Sequence, residues 1–129
     1  MTSVEIPYSV ACALPSLVVI DITNDVAHEL QGNGHAADGI AYVTAIEDSS
    51  LVRVNERESG FFVDLEQFLA RLVPLDRADR ARMLTLMCGP RTEQIPVQDG
   101  QLCLGSYQRL LLFGFEGASN AEWSLTVVG

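Results

Sequence analysis

From Gly39 to Ile46 the segment GIAYVTAI sets Ile40, Tyr42, Thr44 and Ile46 on one face and Ala41, Val43 and Ala45 on the other. A period of two predicts a strand, and the small residues on its second face predict close packing there. Two further β-like runs lie within residues 4–22, separated by Pro15, and the second, LVVIDI, is rich in the branched side chains that suit a pleated surface. Thr23 is then expected to cap a short helix from Asn24 to Gln31, with Val26, Ala27 and Leu30 on one side and GNG as its stop. The β pattern resumes at residues 51–55, LVRVN, after a break at Asp48 to Ser50.

Residues 61–73 change to a helical period, with Phe62, Leu65, Phe68, Leu69, Leu72 and Val73 on one stripe and Pro74 as the stop. The simplest use of that stripe is core packing. PLDRADRAR follows as a charged connection, and strands are expected at about 83–88, 93–98, 101–105, 110–116 and 122–128. Asp99-Gly100 supplies the positive φ that a two-residue hairpin loop requires. The pattern predicts an α+β fold with two main helices and a predominantly antiparallel sheet, because most connections are too short for crossovers.

At 129 residues the chain fits a single domain spanning 1–129. Its net charge of -9 argues against nucleic acid, since no basic patch opposes the repulsion of a polyphosphate backbone. All eight basic residues are arginines, which removes Schiff-base chemistry and a phosphate-binding lysine while leaving bidentate anion contacts available. Cys12, Cys88 and Cys103 are widely spaced and form no C-x-x-C pair, so free, buried, reduced thiols are expected. SVACALPSLVVI imitates a secretion signal, yet Glu5 precedes it without any positive charge and Pro15 interrupts it. Neither a signal peptide nor a membrane span is expected, and the cytoplasm is the expected compartment.

Candidate chemistry is sparse. His28 and His35 have no partners at metal-ligand spacing, and no metal site is expected from them. Glu47, Asp48, Glu56 and Glu58 could form a carboxylate pair for acid-base work, although acids near a turn are more often a solvated edge. In LCLGSYQ, residues 102–108, an apolar strand breaks into Gly-Ser-Tyr-Gln before LLLFGFEG resumes. Gly105 there suggests a bulge or a close backbone approach, and Tyr107 and Gln108 add an aromatic face and an amide; a plain hairpin turn is the simpler alternative.

DITNDV (21–26), VNE (54–56), PVQDGQLCLGSYQ (96–108) and GFEG (114–117), in that order and spacing, resemble the YjbQ family. The resemblance covers nearly the whole chain. It implies an α+β fold with a large antiparallel sheet, a homotrimer, and a secondary thiamine-phosphate synthase activity. In that activity a pyrimidine carried as its diphosphate is joined to a thiazole phosphate, with a divalent metal assisting the leaving diphosphate. Carried over by position, Asn55 and Glu56 match the family's N-E pair, and Gly105 and Gln108 match its L-G-T-W-Q motif. Ser106 and Tyr107 stand for that motif's threonine and tryptophan. The histidine of the family's H-T-T segment falls on Glu47, followed by Asp48 and Ser49; Arg80 and Arg82 fall where its D-A-H segment has aspartate and histidine.

Two functions of different class follow. In one, catalysis is lost with both histidines, and a polar or anion-binding pocket of Ser49, Asn55, Arg82, Gly105, Ser106, Tyr107 and Gln108 remains, with Glu47 and Arg82 as a charge pair. In the other, the arginines bind a phosphorylated substrate and Glu47 or Glu56 serves as the base. Histidine's ordinary pKa suits proton transfer near neutrality, whereas glutamate would need a large environmental shift and arginine cannot serve.

Overall fold

The computed structural model describes residues 10–115 and 122–129. The strands are β1 (Val10–Leu14), β2 (Leu17–Asp21), β3 (Gly39–Ala45), β4 (Ser50–Glu56), β5 (Thr92–Gln98), β6 (Gln101–Leu102), β7 (Gln108–Gly114) and β8 (Trp123–Val128). The helices are α1 (Thr23–Gly32), α2 (Ser59–Leu72) and α3 (Arg80–Cys88). The part of the first expected strand before residue 10, and the GFEG positions 116 and 117, lie outside the described residues.

Pairing is antiparallel throughout, in two four-stranded sheets ordered β1-β2-β7-β4 and β6-β5-β3-β8. The expected α+β fold with antiparallel pairing is thus present, its strands divided between two sheets. The first sheet is buried on both faces, and its sequence shows why. Leu17 and Val19 of β2, Leu51 of β4 and Leu111 and Phe113 of β7 pack with Phe62, Leu69 and Leu84 of the helices. The alternate residues Val18, Ile20, Val52, Leu110 and Leu112 pack with Val43, Ala45 and Ile95 of the second sheet. A strand covered on both sides carries a continuous apolar run, as LVVI and LLLF do. The second sheet has one buried face, which explains the alternation in β3: Ala41, Val43 and Ala45 point inward and are fully buried.

Three helices, not two, are present among the described residues. The segment expected as a strand at 83–88 is helical, and the preceding charged run supplies its first turn, with Arg80, Ala81 and Leu84 buried on one side. In α2 the stripe is narrower than its sequence suggests: Phe62 and Leu69 are buried, whereas Phe68 and Leu72 are 52% and 48% exposed. Glu58 caps this helix, its carboxylate accepting from the amides of Gly60 and Phe61. The expected strand at 101–105 is regular only over Gln101 and Leu102, and the Asp99-Gly100 loop joins β5 to β6 with positive φ at both residues. Among the described residues, no helix is long and apolar enough to cross a membrane.

Candidate functional site

The turn from β2 into α1 is built by Asp21, Ile22 and Thr23. Thr23 does not act as the expected cap; it is the first helical residue, and its hydroxyl is used elsewhere. That hydroxyl donates to Asp21 Oδ1 at 2.6 Å and accepts from the Leu110 amide at 2.7 Å, fastening the helix start to β7. Asp21 Oδ1 also accepts the Thr23 amide at 3.0 Å. Its other oxygen, Oδ2, receives Arg109 Nε at 2.9 Å and Arg57 Nη1 at 3.3 Å. The Asp21 side chain is 3% exposed, whereas those of Arg57 and Arg109 are 39% and 35% exposed. A buried carboxylate therefore fixes two half-exposed guanidiniums. Burial alone would raise the Asp21 pKa, but the Thr23 hydroxyl, the Arg109 guanidinium and the Thr23 amide outweigh it and hold this carboxyl below the ordinary range.

The register of β4 on β7 brings the motif residues to the same place. Asn55 lies opposite Arg109, and Glu56 lies opposite Gln108. Gln108 closes the turn before β7: its side-chain carbonyl accepts the Gly105 amide at 2.7 Å, and its own amide donates to the Gly105 carbonyl at 3.1 Å. A Cβ at Gly105 would come within 3.1 Å of Gln108 Oε1, a tight contact with the side chain that caps its amide. Ser106 and Tyr107 form the exposed tip, with Tyr107 77% exposed. Asn55 donates to the Glu56 carbonyl at 3.1 Å, and Arg109 Nη2 reaches Asn24 Oδ1 at 3.4 Å. Asp21, Arg57 and Arg109 are the residues that sequence reasoning missed, although Asp21 opens the DIT motif and each arginine directly follows a motif residue.

Glu47, Ser49 and Arg82 belong to a different place. They lie near the start of β4, and the ends of that seven-residue strand are about 20 Å apart. Within one chain the expected site is therefore divided, because Asn55, Glu56, Gly105 and Gln108 gather at the other end. The Glu47 carbonyl accepts the Ser50 amide and hydroxyl, and the Ser49 carbonyl accepts the Phe115 amide at 3.0 Å. Arg82 lines a shallow depression of about 550 Å³ with Asp48, Thr85, Gly89 and Arg91. Arg91 Nη1 stands 3.7 Å from Asp48 Oδ1 there, so an ion pair of this region uses the acid next to Glu47. Arg53 closes the α3 C-terminus, donating to the Cys88 and Pro90 carbonyls at 2.6 and 2.8 Å.

The donor set does not fit the divalent cation that the resemblance implies. Asp21 spends both oxygens on Thr23, Arg57 and Arg109, and Glu58 spends its carboxylate on helix amides. Among the described residues no three His, Cys, Asp or Glu side chains come together as ligands. His35 lies 3.8 Å from Glu29 after α1, and His28 is on that helix. The thiols are also unlike the buried set expected: Cys88 and Cys103 are exposed and Cys12 is half-buried. Burial, with the Glu66 charge second, pushes the Cys12 thiol up and disfavours its thiolate.

A family model described as UPF0047 protein YjbQ-like matches residues 14–129. A UPF0047 protein of Archaeoglobus fulgidus is 31% identical over 108 residues, covering 77% of this chain and 82% of that protein. One from Methanothermobacter thermautotrophicus is 30% identical over 121 residues, covering 86% and 82%. Among solved structures, an uncharacterized YjbQ/UPF0047 protein of Clostridium acetobutylicum superposes with a TM-score of 0.75 at 23% identity, covering 91% of this chain and 98% of that one. A hypothetical protein of Aeropyrum pernix K1 gives 0.74 at 26% identity, covering 92% and 96%.

Proposed function

The chain belongs to the family of YjbQ-like UPF0047 proteins, and from that membership we propose that it binds a small phosphorylated molecule at the β4–β7 end without performing the synthase reaction. The observation that carries this reading is the pair Arg57 and Arg109, both half-exposed and both fixed by the one buried carboxylate of Asp21. Guanidiniums held in place lose little freedom on meeting a phosphate and can present paired N–H donors to it. Beside them stands Gln108, whose side-chain carbonyl is occupied by the Gly105 amide and whose side-chain NH2 group is a further donor. Tyr107, exposed at the neighbouring turn, offers a flat face to a heteroaromatic ring.

Catalysis is the part of the family resemblance that this chain lacks the groups to perform. Glu47 and Arg82 occupy the histidine positions, and the chain's two histidines are in α1 and the segment after it. The proposed protein is a homotrimer in the cytoplasm, where the three free cysteines remain reduced. Sedimentation should then give three times the 14.0 kDa chain mass, and a monomer would remove the trimer from the proposal.

Calorimetric titration of the intact chain with inorganic pyrophosphate tests the binding site. Saturable binding is expected, with Arg109→Gln weakening it by roughly tenfold or more. No binding, or equal binding by the variant, would refute this site.

A further inference from the structure

At the opposite end of β7 from Arg109, a second depression is lined by Arg77 and by Arg80, the residue that stands at the aspartate position of the family's D-A-H segment. Arg80, the first residue of α3, is 6% exposed. Its Nε donates to the Val73 carbonyl at 2.9 Å, while its Nη2 is buried with no hydrogen-bond partner. A guanidinium has five donors and stays charged at any physiological pH, so burying one against a single carbonyl leaves its charge unanswered. Arg80 lines a depression of about 300 Å³ together with Pro15, Ser16, Leu75, Arg77 and Ala81.

Two of the carboxylates near this depression have hydrogen-bond partners of their own. Asp79 precedes α3 but makes no side-chain bond to the helix amides, because its carboxylate is turned to Arg77. Glu66 accepts both the Ser16 amide and the Ser16 hydroxyl at 2.8 Å. The N-cap of α3 is thus an acid whose carboxylate leaves the helix amides unbonded, and the positive end of the helix dipole lies next to the buried guanidinium. Helix terminus and arginine share one sign and one opening, in a chain whose net charge is -9.

We propose that this depression is an anion site for a phosphate group, inorganic or on a small monoester, with Arg80 as its buried anchor and the α3 N-terminus as its second donor. The volume is at the lower end of the range for ligand sites, which suits a phosphate with a few attached atoms and excludes a dinucleotide. Phe115, which directly follows β7 and also lines the depression, is six strand steps from Arg109, so this site and the one at Arg109 are about 20 Å apart.

The test is thermal unfolding of the intact chain against increasing inorganic phosphate, with sodium chloride at matched ionic strength as the control. Wild type and Arg109→Gln should both rise with phosphate, whereas Arg80→Met should fold and show a clearly smaller phosphate-specific rise, the remainder coming from the site at Arg109. Folding is expected because replacing an unanswered buried charge with an apolar side chain of similar length removes a desolvation cost. If Arg80→Met does not fold, Arg80→Lys decides: it keeps a charge but loses the fork, and phosphate affinity at this site, measured by ³¹P line broadening, should fall roughly tenfold or more. A phosphate response equal in wild type and the Arg80 variant, or absent in wild type, overturns the proposal. A response lost in Arg109→Gln and kept in Arg80→Met overturns it while leaving the β4–β7 site standing.

Discussion

Arg109 Nε lies 2.9 Å from Asp21 Oδ2, joining residues 88 apart in sequence at one end of the two inner strands of a buried sheet. The contact ties β7 to the turn that starts α1, and it is the hub through which Arg57 and Thr23 are also held. A ligand meeting the guanidinium therefore meets a group whose position is set by the fold.

Asp21→Asn should leave two guanidiniums without their shared counter-charge. Because both arginines are more than a third exposed, solvent screens much of the repulsion, and the expected loss is about 1–3 kcal/mol of unfolding free energy, less than for a fully buried pair. Urea denaturation followed by circular dichroism measures it, and an unchanged midpoint would contradict the role given to Asp21.

The same carboxyl makes a pH dependence. Its folded-state pKa is lowered, so the unfolded chain binds the proton more readily and the stabilisation is fully present above the ordinary carboxylate value. It is lost as pH falls from there through the lowered folded value. Urea midpoints taken from neutrality into strong acid should fall more steeply for wild type than for Asp21→Asn in that window; parallel curves would count against the linkage.

Thr23→Val keeps the shape of the side chain while removing a donor to Asp21 and an acceptor for the Leu110 amide. An unsatisfied buried amide costs about 1–3 kcal/mol. Thr23→Ser should recover most of that loss, and amide exchange at Leu110 should be faster in the valine variant alone.

Gly39 has φ of +153°, and a Cβ there would stand 2.2 Å from the Val128 carbonyl oxygen. Gly39→Ala must open the β3–β8 pairing at that end, with an expected cost of about 2 kcal/mol or more. Thermal unfolding of the variant would show it, and a wild-type Tm would mean that the two strands part easily there.

Much of this architecture was legible because the period of β3 and the continuous runs of β2 and β7 state how many faces each strand buries. The third helix was harder. MLTLMC has no polar alternation to betray a helix, and α3 leaves Leu86 79% exposed and Met87 53% exposed, so burial and hydrophobicity disagree along it. The stripe of α2 misled in the same way, since Phe68 and Leu72 are apolar yet face outward. At the candidate site, motif spacing located Asn55, Glu56, Gly105 and Gln108 but could not show that Glu47 and Arg82 lie at the far end of β4. The register that pairs Asn55 with Arg109 is a long-range property, invisible until the strands are placed.

The most direct test of binding without turnover is an assay of thiamine phosphate formation from the pyrimidine diphosphate and the thiazole phosphate, run beside a YjbQ-family protein that has both histidines. No product from this chain, with clear product from the other, is the expected result. Sustained formation of thiamine phosphate by this chain would contradict the account.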